Sequence, residues 1–406
     1  GHGAMDGSGG ATVLDSDDNI FMGYDSGGGT WTTGKSEFNV GIGNYCMDAA
    51  MNGALNNTAL GHATLSELTL GDDNVAIGYL AGNNVNKGSE NTAIGAHALY
   101  TDDVGNSTTA VGFKSCYLQN ANADNEDTGN TGIGYYSLYT NLVGEQNTAV
   151  GYAALTTMAT ADNTGGNTGV GYHAGQFIST GVENAFLGAK AGQGITSAEL
   201  TGNHNTGIGA SAGLELEGAA HSNTLIGAYA GNTTETGTGN TIVGFNCETD
   251  TDSRVGSVIL GNSHNLQTAN DNVFEVGNAS NYIKYDLDSG DITITSDRRV
   301  KKDIVDTDLG LDFVNKLKPV KYKFRPNKDY AEEFGIDEEF IVESLPEEKA
   351  ERVHDGLIAQ DVKEVIDEMG ISFSGWGEDI VGRQRLGYTD FIAPLIKAVQ
   401  ELSAQV

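Results

Sequence analysis

Asn91-Thr92-Ala93-Ile94-Gly95 is one copy of a pattern, Asn-x-x-aliphatic-Gly, that brings most of this chain into register. Others are Asn57-Thr58-Ala59-Leu60-Gly61, Asn74-Val75-Ala76-Ile77-Gly78 and Asn147-Thr148-Ala149-Val150-Gly151. Thr108 stands in the Asn place of one copy, and the last is reduced to Leu260-Gly261. Fourteen terminal glycines, Gly23 to Gly261, follow at a modal spacing of 17 residues, with excursions up to 22. So short a period, rich in β-branched and small residues, predicts one coil of a β-solenoid or β-roll per repeat. Each unit reads as a short strand, the glycine, then a second short strand such as Tyr152-Ala153-Ala154-Leu155. The glycine suits a positive-φ corner or the close approach of a neighbouring coil. The asparagine suits a left-handed corner and a side-chain bond to the next coil. Stacking is expected to turn the Ile/Val/Leu row inward and to align the asparagines in ladders.

Composition changes abruptly near residue 296. Residues 1–295 hold 6 Lys+Arg against 31 Asp+Glu and no proline. Residues 296–406 hold 16 basic and 24 acidic residues and all four prolines. The net charge of −33 repels phosphate backbones and anionic lipid, so neither nucleic acid nor membrane is an expected partner. No apolar run is long enough to cross a bilayer. The opening Gly1-His2-Gly3-Ala4-Met5 reads as a tag-cleavage scar, with residues 1–18 forming an N-terminal segment.

Cofactor and metal sites find little support. Cys46, Cys116 and Cys247 fall three or four residues past repeat glycines, where small apolar residues stand in other copies, and read as buried core. Gly-x-Gly triplets such as Gly132-Ile133-Gly134 recur with the repeat and lack the βαβ setting of a nucleotide loop. The eight histidines show no metalloprotease spacing. Asp15-Ser16-Asp17-Asp18-Asn19 opens like a calcium loop, but Ser26 stands where a bidentate Glu is needed. No cofactor and no metal are expected.

Past Ile294 the pattern is α+β. Residues 309–318 have helical spacing, with Thr307 or Asp308 available as N-cap, and Pro319 follows. Residues 320–325 alternate as a strand, 326–352 read as an acidic loop, and a second helix ends near Met369 with Gly370 as its cap. Tyr388, Ile392, Leu395, Val399, Leu402 and Val406 are spaced 4, 3, 4, 3, 4, the seam of a coiled coil. This helix either packs on its own domain or forms a three-stranded terminal bundle, the reading favoured here.

Two resemblances follow. The repeats over about residues 19–280 resemble the head repeats of trimeric bacterial adhesins and phage tail fibres, which are left-handed parallel β-rolls packed as trimers. The region 291–406 resembles the intramolecular chaperone of phage tailspikes and fibres, the S74 family of self-cleaving peptidases. The match rests on Ser296-Asp297-Arg298-Arg299-Val300-Lys301, Lys318-Pro319-Val320, Gly356-Leu357-Ile358-Ala359-Gln360-Asp361-Val362 and the stretch from Ile392 to Leu402. Val300 departs from the usual leucine, and an acidic insertion lies near 327–351. The resemblance implies a mainly β chain. A trimeric parallel β-roll (19–290) would precede a smaller α+β chaperone domain (291–406) with a C-terminal coiled-coil helix. It implies a chaperone that drives trimerisation and cuts itself off between Thr295 and Ser296.

A serine hydroxyl needs a base, and lysine serves only when desolvated or set beside another cation. Ser296 is therefore expected as nucleophile and Lys301 as base, with Arg298, Arg299 and Lys302 supplying positive charge. The competing reading makes Ser296 a turn cap and Lys301 a solvated surface residue. The expected protein is a homotrimeric tail fibre of a phage or phage-like particle, in a virion or other extracellular particle. Its partners would be a host cell-surface glycan or protein receptor and, through an N-terminal part, a virion or injection-machine baseplate. Receptor contacts are expected on the longer repeats, residues 118–129, 156–166 and 192–202, or at Tyr24 and Trp31. The alternatives are a bacterial trimeric adhesin with a retained cap, and a protease acting on other proteins.

Overall fold

A computed structural model of the chain describes residues 16–32, 34–124, 126–158, 165–265, 271–289, 292–294, 298–334 and 345–405. Two compact units divide it, residues 1–297 and 298–406.

The first unit is a parallel β-solenoid. Its strands begin with Ile20–Met22 and run coil by coil to Val258–Asn262 and Val273–Asn278, each hydrogen-bonded to the coils before and after. Register is strict: Thr92, Ala93 and Ile94 face Thr109, Ala110 and Val111. Each repeat position therefore becomes a row along the solenoid axis. Tyr282–Asp286 and Ile292–Ile294 end the sheet in antiparallel pairing.

The segment after each glycine from Gly23 to Gly227 is a run of turns, not the second strand expected. The cause is backbone handedness. Residues two and four past the glycine adopt positive φ, as in His97 (58°) and Leu99 (49°), or Tyr136 (58°) and Leu138 (49°). Alternating hands cannot make an extended strand. The N–H groups still bond from coil to coil, Cys116 N–H donating to the Ser137 carbonyl at 2.9 Å.

The aliphatic row also faces the other way from expectation. The middle strand residue, Ala59, Ala93, Ala149 or Leu225, points inward and is buried. The residue before each glycine points out, and Leu60, Ile133, Leu187 and Ile208 are at least 40 % exposed. Strand side chains alternate between faces, so only one of the two rows can enter the core. The coil interior is thin. Apolar filling comes instead from Leu65, Leu99, Leu138 and Leu155 beyond the corner. Phe186 fits because its neighbours are glycines: a Cβ on Gly192 would lie 2.2 Å from its ring.

The asparagine ladder is present. Asn57, Asn74 and Asn91 are buried, and each side-chain oxygen accepts the backbone N–H of the next coil's residue near 3.0 Å. The amide nitrogens donate to carbonyls such as Gly71 and Gly88. At Thr108 the ladder loses its amide. The longer coil there folds Gln119 inward, so that its Nε2 reaches Thr108 Oγ1 and its Oε1 accepts from Asn130. Buried Asp102 takes the second Gln119 Nε2 bond at 2.7 Å and two backbone N–H groups.

The three cysteines are free and buried. Burial pushes the thiols of Cys46 and Cys116 up to about 12.

The second unit packs α1 (Leu311–Lys316), α2 (Glu347–Glu351), α3 (Ala359–Met369) and α4 (Ile392–Gln405) with two small antiparallel strand pairs, Val320–Tyr322 with His354–Gly356 and Trp376–Glu378 with Gln384–Leu386. Its core gathers Phe313, Val362, Val365, Ile366, Phe373 and Phe391. Helix α1 is shorter than expected and has no side-chain cap from Thr307 or Asp308. Glu401 of α4 supplies the acceptor instead, at 2.7 Å from the Leu311 N–H. Gly370 does end α3, in the left-handed conformation. The strand expected over 320–325 is confined to Val320–Tyr322.

Candidate functional site

Of the residues expected to cut the chain, Thr295 and Ser296 lie outside the described residues. Lys301 follows a single 3-10 turn, Arg298–Val300, and its backbone N–H donates to the Arg298 carbonyl at 3.3 Å. Lys301, Lys302, Arg298 and Arg299 are all exposed. Four basic residues thus fall within five positions.

The described surface carries two unpaired apolar faces. One is the row before the repeat glycines, where all fourteen side chains from Met22 to Leu260 are exposed or half-buried. The other lies on α4. Its buried side chains are Pro394 and Ala398, while Ile392, Leu395, Ile396, Val399 and Leu402 are exposed. The seam read from the sequence is thus turned to solvent and widened by Ile396. Of its ends, Val406 lies outside the described residues and Tyr388 accepts the Leu357 N–H through its hydroxyl at 2.9 Å. Exposed continuous apolar surface of this kind marks an interaction site.

The positions considered for receptor contact divide. Trp31 is core: it is buried, and its indole N–H donates to the Gly27 and Gly28 carbonyls. Tyr24 is exposed. In the long loops, Gln119, Ala121 and Leu200 turn inward, so part of each insertion fills the coil. Residues 159–164 lie outside the described residues.

Sequence reasoning missed an aromatic surface. Rings one, two and five positions past the glycines stack along the axis, with Tyr135 and Tyr152 centroids 5.1 Å apart and 2° from parallel. The signal was present in the repeat alignment, as aromatics recurring at those offsets.

Among the described residues, no group of three His, Cys, Asp or Glu side chains is placed to hold a metal. No described helix is long and apolar enough to cross a membrane.

Residues 296–371 match the family model described as chaperone of endosialidase, peptidase S74. The matched segment begins at Ser296 and ends before α4. Searches of curated proteins and of solved structures each returned no match.

Proposed function

From the premise that the chain carries a C-terminal domain of the endosialidase-chaperone family behind a β-solenoid, we propose that it is a homotrimeric tail fibre. It would serve a phage or phage-like particle and bind a cell-surface receptor, and its C-terminal unit would be the folding chaperone. The observation that carries this reading is the outward aliphatic row. Fourteen stacked coils leave Leu60, Ile133 and Ile208 in water in the single chain, an arrangement that favours association with like chains. The exposed stripe of α4 supports the same stoichiometry, since three short helices gain stability together that one lacks. Parallel sheets with many non-local pairings fold slowly, and holding three chains in register from one end lessens that hazard.

The cut is proposed at Thr295–Ser296. Ser296 Oγ attacks the Thr295 carbonyl carbon while Lys301 Nζ, as a neutral amine, takes the hydroxyl proton. That proton passes to the Ser296 nitrogen as the C–N bond breaks, leaving an ester. Water then hydrolyses the ester to a Thr295 carboxylate and a free Ser296. A lysine exposed in the single chain needs desolvation to act so, and trimer closure would provide it. Assembly would gate the reaction. Removal of the chaperone would then leave the trimer kinetically trapped.

The test is the intact mass and light-scattering mass of purified protein beside a Ser296→Ala variant. The expected result is a trimer, with wild type split after Thr295 and the variant whole. Uncleaved wild type would make the C-terminal unit a retained cap, and a monomer would sink the fibre reading.

A further inference from the structure

Three consecutive coils carry something the others do not. After Gly95, Gly112 and Gly134, the fifth position is Tyr100, Tyr117 and Tyr139, stacked at 5.2 and 5.3 Å. Other coils place Asp48, Ser66, Asn83, Gln193 or Asn232 there on the same backbone. The aromatic column is therefore no requirement of the fold. At its centre stands Lys114, one of the six basic residues before position 296. Its ammonium lies 4.9 Å from the Tyr117 ring centre and within 5.8 Å of Phe113, Tyr136 and Tyr139. Among the described residues no carboxylate pairs with it, although this unit is strongly acidic. His97 joins the cluster 6.0 Å from Tyr117, and among the described residues its buried Nδ1 has no hydrogen-bond partner. Burial first, and the Lys114 charge second, hold the His97 pKa below its ordinary value.

We infer that this platform around Lys114, Tyr117 and Tyr136 binds a pyranose ring of a surface glycan, an assignment that rests on the fibre reading above. Aromatic rings offer apolar faces to sugar C–H groups, while the ammonium, the phenols and the imidazole offer hydrogen bonds to hydroxyls or to a sugar carboxylate. A second copy of the chain is the poorer occupant. A contact between repeats would recur on every coil, as the aliphatic row does, whereas the tyrosine column spans three.

The test uses the full chain and the variants Lys114→Ala and Tyr117→Ala/Tyr139→Ala, on a printed array of neutral and carboxylated hexopyranose oligosaccharides. Light scattering runs alongside. Alanine already occupies the Lys114 position in other coils, at Ala63 and Ala153 with φ near 50°, so the lysine variant should fold. The expected result is binding by wild type and a loss of at least about tenfold in each variant, with unchanged assembly mass. A Lys114→Ala loss confined to carboxylated sugars would identify an acidic glycan, and an equal loss a neutral one. Binding that survives both variants, or no binding to any saccharide, overturns the proposal. Dissociation of the assembly by either variant overturns it too, since the platform would then be a contact between chains. A monomeric wild type would instead count against the fibre reading, and the array would still judge the platform.

Discussion

The repeat glycine is the residue on which coil stacking depends. Gly134 has φ of 138°, and a Cβ there would lie 2.3 Å from the Gly151 carbonyl oxygen of the next coil. Gly134→Ala should therefore cost at least about 2 kcal/mol, read as a lower thermal midpoint, because strain and overlap add. Asp102 is a different case. Burial is the largest influence on it and raises its pKa above 3.8, against the opposing bonds from Gln119, Ala121 and Gly105. The folded state thus binds the proton more tightly than the unfolded chain. The stability linked to it is complete below the unfolded value and is lost as pH rises through the folded one. Wild type should lose stability relative to Asp102→Asn as pH rises from about 4, measured by denaturant midpoints across that range. A flat difference would remove the linkage.

At the scale of elements, α1 is held by a residue 90 positions away. Glu401 accepts the Leu311 N–H, so an α4 side chain satisfies a helix start that its own flanking residues leave open. Glu401→Ala should cost about 1 kcal/mol, the value of a lost cap, and equilibrium unfolding of the C-terminal unit would show it. The α4 seam and the Gly370 cap were legible beforehand, since both depend on local spacing and local conformation. The start of α1 was not, because its acceptor arrives through tertiary packing. Likewise, nothing in Tyr152-Ala153-Ala154-Leu155 announces alternating backbone hands. Non-glycine residues at positive φ are costly alone and persist here only because coil-to-coil bonds over-determine them.

For the molecule as a whole, fold and assembly should separate cleanly. Ile133 and Ile208 lie outside the coil interior, each about 40 % exposed. Ile133→Lys combined with Ile208→Lys should leave the circular dichroism of the solenoid intact while abolishing the proposed trimer in light scattering. Loss of the β signal together with the trimer would mean that the coils fold only as an assembly. The −33 charge opposes association in general, so contact along the uncharged aliphatic row must outweigh it.

The sequence alone determined the period, the parallel stacking, the buried asparagine ladder, the buried cysteines and the compositional change near residue 296. All of these follow from a repeat whose positions must superimpose coil on coil. The C-terminal family was legible too, because its motifs are contiguous in the chain. Only the tertiary structure decided which strand face looks inward. Alternation permits two answers, and the choice falls to the row that is alanine or glycine in most coils, with Phe186, Leu225, Ile242 and Ile259 filling it in others. It also decided that Trp31 is core, that Gln119 repairs the ladder at Thr108, and that tyrosines from separate coils gather around Lys114. Gln119 reaches Thr108 and Asn130 across 11 positions each, and Lys114 reaches Tyr139 across 25, a geometry set by coil closure and stacking rather than by any local stretch.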